Sequence, residues 1–247
     1  MSDQHKPELS VVILCYKAGE FAQAFVAQVE KVLEEHALNS YQLVLVANYN
    51  GDEVSSDITP NVVKGLAQKN SKLKVVSMVK KGMMGWDMRS GFEAADGKNI
   101  AVIDGDNQMP PKDIVRVYQA LKLGNYDMVK TYRQERHDGT WRFFISTIYN
   151  FLLKVFFPRV KVRDANSKPK IFTREALEKL KLTSNDWFID AEIIIQASRL
   201  NFSIKEIPTI FYVNKQRSSF LKFKAILEFI SNLIRYRIKM FKGTLLD

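Results

Sequence analysis

Two aspartates and a glutamine stand close together in Asp104-Gly105-Asp106-Asn107-Gln108, directly after the apolar run Asn99 to Ile103. Carboxylates at that spacing repel one another unless a cation is present. Oxygen-only donors so arranged suit a hard divalent ion, Mg²⁺ or Mn²⁺, which commonly shares its shell with substrate phosphate. A solvated turn with an aspartate capping the helix that Pro110-Pro111 opens would use the same residues. The preceding strand and Gln108 favour the metal reading. Arg142 and Ser146 are four apart, so on a helix they share a face and can both reach one phosphate. The same pair would serve equally as a surface charge and a small core residue. Asp190 and Glu192 lie in the otherwise apolar Phe188 to Leu200, and a helical spacing of two sends them to different faces. His5, His36 and His137 are too dispersed for a metal site. The single cysteine, Cys15, excludes a disulfide scaffold and a Cys-rich metal centre.

These residues need elements to position them, and the first half supplies an alternation of strand and helix. Leu9 to Tyr16 and Tyr41 to Ala47 are continuous apolar runs, as in strands covered on both faces. Leu73 to Met78, Asn99 to Ile103 and Tyr126 to Tyr132 read as further strands. Phe21 to His36, Val62 to Lys69, Arg89 to Ala95 and Pro110 to Leu123 read as helices between them. The alternation implies βαβ units and an α/β, mainly parallel sheet, whose ligands bind beyond the carboxyl ends of the strands. Three polar strand ends mark that edge: Cys15 to Lys17, Asn48 to Asp52, and Asp104 to Gln108. No Walker loop and no G-x-G-x-x-G follows the first strand, which removes the P-loop and dinucleotide-binding readings. In the second half, Trp141 to Phe157, Arg174 to Leu180 and Phe188 to Leu200 read as helices. Asp164 to Phe172 is a polar turn entering a strand, and Ser203 to Val213 is extended.

Lys and Arg outnumber Asp and Glu by 37 to 27, a net charge of +10 that favours anionic partners. The basic residues are scattered, with no aromatic-interleaved basic strand, so nucleic acid is not an expected partner. Met1 to Glu8 is polar, so no signal peptide is expected. The longest apolar run, Phe143 to Phe157, is 15 residues with Lys154 inside it. That falls short of the roughly 20 residues a spanning helix needs. Ser218 to Lys242 is amphipathic and basic, as interfacial helices are, and would equally suit a dimer contact. The expected division is a catalytic domain over 1–217 and a basic helical tail over 218–247.

The order and spacing of these motifs resemble family 2 glycosyltransferases of the GT-A fold, nearest the dolichyl- or polyprenyl-phosphate mannose or glucose synthases. Cys15-Tyr16-Lys17 with Glu20 is similar to the family's P-x-Y-N-E element, with Cys15 in place of proline. Val46 to Asp52 (VANYNGD) stands at V-D-D-x-S-x-D, with Asn48 in place of an aspartate and Asp52 kept. Asp104 to Pro111 is close to D-A-D-x-Q-x-x-P. Thr131-Tyr132-Arg133, Trp141-Arg142 and Ser146 resemble the element that holds an acceptor phosphate. Asp164 to Ser167 matches D-x-x-S-G-F in part, with Lys168-Pro169-Lys170 replacing Gly-Phe-Arg. Arg217-Ser218-Ser219 fits the basic element near the donor diphosphate.

The resemblance implies an inverting, metal-dependent hexosyltransferase using a GDP- or UDP-sugar. It implies Asp104, Asp106 and Gln108 as metal residues, and Cys15, Tyr16, Glu20, Asn48, Asp52, Asp104 and Arg217 around the nucleotide-sugar. Asp106, Arg133, Arg142 and Ser146 would carry the transfer. Two acceptors stay open. A saccharide hydroxyl must lose a proton and would need Asp190 or Glu192 as base, whereas a lipid phosphate is already anionic and needs only positioning. The apolar segments beside cationic side chains favour the lipid, with the protein peripheral on the cytoplasmic face of a membrane.

Overall fold

The structure is a computed structural model that describes residues 6–53, 56–137, 140–213 and 223–241, without the side chains of 140–142, 223–227, 239 and 241. In chain order the elements are β1 (Leu9–Leu14), α1 (Phe21–Glu35), β2 (Tyr41–Val46), a 3₁₀ turn (Gly51–Glu53), α2 (Thr59–Lys69), β3 (Leu73–Val76), α3 (Met84–Ala94) and β4 (Asn99–Asp104). They continue as α4 (Lys112–Leu123), β5 (Met128–Arg136), α5 (Thr140–Phe156), β6 (Lys170–Thr173), α6 (Arg174–Lys179), α7 (Ile189–Arg199), β7 (Ile204–Phe211) and α8 (Phe223–Phe241).

The strands form one seven-stranded sheet in the order β3-β2-β1-β4-β6-β5-β7. β6 runs antiparallel to both its neighbours, and the other pairings are parallel. The continuous apolar runs of β1, β2 and β4 follow from burial on both faces. One core holds α1, α2 and α4 against the sheet, and the other holds α3, α5, α7 and α8.

Several boundaries differ from the sequence expectation. β3 stops at Val76, and α2 begins at Thr59. α3 begins at Met84, five residues early. The amides of Met83, Gly85 and Trp86 donate to the backbone carbonyls of Asn185 and Asp186, so a distant loop satisfies the helix's orphan N–H groups. A Cβ on Gly85 would lie 2.5 Å from the Ser184 carbonyl oxygen, so glycine is what permits that approach. β5 runs on to Arg136 because it pairs with β7, with a register shift between Arg133 and Glu135.

The inner face of α8 belongs to the core. Phe229, Leu233 and Tyr236 are buried. The Phe229 ring stacks on Tyr149 of α5 at 3.6 Å between centroids, and Tyr236 packs on Phe188 at 5.3 Å. Phe229, Leu233 and Tyr236 thus pack α8 into the same core as α3, α5 and α7. Residues 218–222 and 242–247 lie outside the described residues.

Candidate active site at the carboxyl edge of the sheet

β4 delivers Asp104 at its last residue, and the chain turns at once. Gly105 donates to the Leu14 carbonyl at 2.9 Å, and a Cβ there would sit 3.0 Å from the same oxygen. Glycine between the aspartates thus lets the loop lie against the end of β1. Asp106 accepts from the Gln108 amide at 3.1 Å, and Asn107 between them takes a left-handed conformation. Buried Gln108 donates its side-chain nitrogen to the Tyr212 carbonyl at 3.0 Å, which ties the loop to the end of β7. Asp104 and Asp106 are both half-buried and share this edge.

Beneath them lies a buried set of charges at the junction of β4, β6 and β5. The Lys168 ammonium is 3.4 Å from Asp104 Oδ2 and 3.2 Å from Asp190 Oδ2, and Lys170 reaches Asp190 Oδ1 at 2.5 Å. Lys130, the register partner of Lys170, donates to the carbonyls of Thr131 and Asp164 and lies 3.3 Å from Glu206. Burial disfavours each lysine's charged form, but at Lys168 the carboxylates of Asp104 and Asp190 outweigh it and hold the ammonium charged. At Lys170 burial wins, aided by Lys168 and Lys130, and its value is pushed down to about 7. Burial would raise Asp190, yet Lys168 and Lys170 hold it below the usual carboxylate range.

Next to this set, β5 brings Arg133 to α5. Its guanidinium forms a two-pronged pair with Asp164, at 2.6 and 2.8 Å, and its Nη2 also donates to Ser146 Oγ at 3.2 Å. Burial raises Asp164, but Arg133 and Lys130 outweigh it and keep the carboxyl well below the ordinary range. Thr131 Oγ1 bonds Ser167 Oγ and the Lys168 carbonyl, both at 2.7 Å, which fixes the loop that carries Asp164. The register Val102↔Lys170↔Lys130 places Asp104 of β4 and Arg133 of β5 at the same end of the two strands that flank β6. The structure thus brings Asp104, Asp106, Gln108, Arg133 and Ser146 to a single edge. The Arg142 side chain and Arg217 lie outside what is described.

Of the residues expected around the nucleotide, Tyr16 is half-buried at this edge. Its hydroxyl accepts from Asn50 at 2.9 Å, and Lys80 stands 3.8 Å above its ring. Glu20 and Asp52 are exposed, in the N-cap position of α1 and in the 3₁₀ turn. Two residues depart from expectation. The Cys15 side chain is buried among apolar residues, its thiol pushed up to about 12 by that burial, so it presents no group to a ligand. Asn48 is fully buried. Its amide nitrogen donates to Asp87 and Ser90, both at 3.0 Å, and its oxygen accepts from the Met78 amide. Its polar atoms are spent inside the protein because Asp87, paired with Lys80 at 2.5 Å, sits against it.

Asp190 and Glu192 do point to different places. Glu192, fully buried, accepts from the Thr183 and Ser184 amides and the Thr183 hydroxyl. Both carboxylates are therefore engaged by internal partners.

The sequence model of glycosyl transferase family 2 matches residues 10–181. The chain belongs to glycosyl transferase family 2. Two family relatives are a dolichol-phosphate mannosyltransferase of Pyrococcus furiosus and a dodecaprenyl-phosphate galacturonate synthase of Rhizobium johnstonii. The first is 25% identical over 241 residues, covering 96% of this chain and 65% of the relative. The second is 27% identical over 177 residues, covering 71% and 50%. The chain therefore spans half to just under two thirds of the length of these relatives. Among solved structures, mannosyl-3-phosphoglycerate synthase from Rubrobacter xylanophilus superposes with a TM-score of 0.72 at 15% identity, covering 98% of this chain and 76% of that one. That likeness establishes the GT-A fold.

The divalent ion that the sequence resemblance implies would find a compatible donor set here. Among the described residues no group of three or more His, Cys, Asp or Glu side chains is disposed to hold a metal. Asp104 and Asp106 offer two hard, half-buried carboxylates, and Gln108 follows two residues on with its side-chain nitrogen committed to Tyr212. Such a set suits an ion that takes its remaining ligands from a diphosphate. Sequence reasoning missed Lys168, Lys170 and Lys130 as site residues. No local signal marked them: β6 begins only at Lys170, and the burial of Lys168 and Lys170 comes from where that strand inserts.

Proposed function

We propose that the chain transfers a sugar from a nucleotide-diphosphate sugar to the phosphate of a polyprenyl phosphate, at the cytoplasmic surface of a membrane. The observation that carries this reading is the contact of Arg133 with Ser146, at the sheet edge that also holds Asp104 and Asp106. An arginine and a hydroxyl meeting there form a ready site for an anionic acceptor. The names of the two family relatives, both polyprenyl-phosphate sugar transferases, support it.

In this reading Asp106, with Asp104 and Gln108, holds Mg²⁺ or Mn²⁺, which when bound neutralises charge on the leaving diphosphate. Arg133, Ser146 and Arg142 orient the acceptor phosphate. One of its oxygens attacks the anomeric carbon as the bond to the donor diphosphate breaks, so a single displacement inverts the centre. The nucleoside diphosphate leaves with the bonding electrons, and Tyr16, Glu20, Asp52 and Arg217 bound the donor. The acceptor oxygen carries no proton to remove, which agrees with Asp190 and Glu192 being occupied by internal partners. A saccharide hydroxyl acceptor would need the base that neither provides.

The outer face of α5 favours a lipid partner. Phe143, Phe144, Ile148, Phe151 and Val155 are exposed, with Ile234 and Ile238 of α8. Lys154, Arg159 and Lys161 are exposed near them. No helix among the described residues is long and apolar enough to cross a membrane, so the reading is contact by an interfacial face. The test is transfer of radiolabelled sugar from GDP- and UDP-sugars to polyprenyl phosphate in detergent with Mn²⁺. Lipid product that is lost in Asp106→Ala and Arg142→Ala is expected. Label appearing on saccharide acceptors but never on lipid phosphate would overturn the reading.

A further inference from the structure

Asp104 faces a cation that the protein itself provides. The Lys168 side chain is 2% exposed, and its ammonium bridges Asp104 Oδ2 at 3.4 Å and Asp190 Oδ2 at 3.2 Å. Its stem is fixed at both ends of the residue. The backbone amide faces the Met109 sulfur at 3.3 Å, and the carbonyl accepts from buried Thr131 at 2.7 Å. The ammonium also contacts the Met84 sulfur at 3.5 Å, at the start of α3. Asp190, anchored a second time by Lys170, forms the immobile side of the bridge. A buried ammonium held this way cannot swing out to water, and its charge stays beside the aspartate pair. The arrangement is carried by this chain's own Lys168-Pro169-Lys170 segment.

Two consequences follow from elementary electrostatics. With nothing bound, Lys168 offsets the repulsion between Asp104 and Asp106 and fixes the side chain of Asp104. A free divalent ion arriving at the pair meets a site already part-neutralised, and is repelled by the ammonium. We propose that Lys168 is a positioning residue and resident counter-cation of the aspartate pair, which weakens the site for a free divalent ion so that the ion is taken up together with the donor diphosphate. This rests on the reading of Asp104 and Asp106 as the cation site.

The experiment is Mn²⁺ binding to the nucleotide-free full chain, followed by the electron paramagnetic resonance signal of free Mn²⁺. Wild type is compared with Lys168→Met, Lys168→Gln, Lys168→Arg and Asp106→Asn. A unit charge about 6 Å from a divalent ion changes its affinity about tenfold even at the dielectric of water. Lys168→Met and Lys168→Gln are therefore expected to bind Mn²⁺ about tenfold more tightly than wild type. Lys168→Arg, which keeps the charge, stays within about twofold, and Asp106→Asn loses the site. Two neutral variants guard against one that fails to fold, as monitored by thermal melting. If folded neutral variants bind Mn²⁺ no more tightly than wild type, Lys168 only fills space beneath Asp190 and the proposal falls. If Mn²⁺ binds wild type and Asp106→Asn alike, the cation-site reading itself fails and takes the proposal with it.

Discussion

Arg133 and Asp164 meet along two parallel hydrogen bonds, Nε to Oδ2 at 2.6 Å and Nη2 to Oδ1 at 2.8 Å, with both side chains about nine-tenths buried. The geometry is the fork-to-fork pairing that gives direction as well as energy. It fixes the guanidinium plane and so decides what the remaining contact of Nη2, to Ser146, can be. In the proposed function an arginine held this firmly would orient a phosphate without first losing its own freedom.

Asp164→Ala should therefore cost both stability and transfer. Removing one partner of a buried pair strands the other, at about 3–5 kcal/mol. Urea unfolding would read that loss directly. Adding Arg133→Ala should cost less than the sum of the two single changes, because the stranded charge goes too. Transfer to lipid phosphate should fall in Asp164→Ala through a raised KM for the acceptor, with donor KM little changed. Equal loss toward both substrates would count against the acceptor assignment.

The buried lysines predict an unusual dependence of stability on pH. Lys170 is pushed down to about 7 in the folded protein against an ordinary value of 10.5. Between these limits the unfolded chain binds a proton that the folded one does not, so stability rises with pH across that window. Lys130 is lowered too and adds in the same direction. Lys168 is raised, so its titration lies above the window. The slope from Lys170 alone is at most about 1.4 kcal/mol per pH unit. Urea midpoints at pH 7.0 to about 8.0 test this below the midpoint near 8.5 at which an unfolded Cys15 ionises and well below the tyrosines. Lys170→Met should flatten the slope. An unchanged slope in that variant would show Lys170 charged throughout.

Much of this arrangement was legible in the residues, and what was not has a physical cause. Continuous apolar runs announced β1, β2 and β4 because strands covered on both faces leave no room for alternation. Asp104 to Gln108 announced itself by crowding carboxylates at a strand end. Lys168 and Lys170 did not, since lysines in a polar stretch read as solvated. Their burial depends on β6 inserting antiparallel between β4 and β5, a non-local pairing that no local pattern reports. Asn48 and Cys15 stand at positions that resemble the family motifs, but their surroundings come from α3 and from the sheet core. For Asn48 the deciding neighbour, Asp87, is 39 residues away.

Restoring an acidic residue at position 48 should damage the protein. The Asn48 side-chain nitrogen donates to Asp87 Oδ1 at 3.0 Å, at full burial, while Lys80 already occupies Oδ2. Asn48→Asp would set two carboxylates against each other and abolish that bond. A cost of about 3 kcal/mol is expected from the unpaired buried charge. Asn48→Asp with Asp87→Asn returns one donor and one acceptor to the pair, and should recover at least about 1 kcal/mol by thermal or urea unfolding. No recovery would show that the carboxylate is needed at position 87 itself, against Lys80.

The apolar face of α5 separates stability from membrane contact. Phe144 and Phe151 are 59% and 64% exposed, so replacing both by serine removes little from the folded core. Unfolding free energy should change by no more than about 0.5 kcal/mol per site. Inserted into an interface, each ring is worth about 1.5–3 kcal/mol. Loss of both should weaken co-sedimentation with anionic phosphatidylglycerol vesicles by at least about a hundredfold. Leu123 is 90% exposed at the end of α4, among the helices covering the other face of the sheet, so Leu123→Ser controls for general apolar stickiness. It should leave vesicle binding unchanged. High salt should weaken the wild type, because Lys154, Arg159 and Lys161 lie beside the face and their attraction to an anionic leaflet is screened. Equal vesicle binding by wild type and the double serine variant would mean that α5 turns this face toward something other than lipid. The acceptor would then have to reach Arg133 from solution.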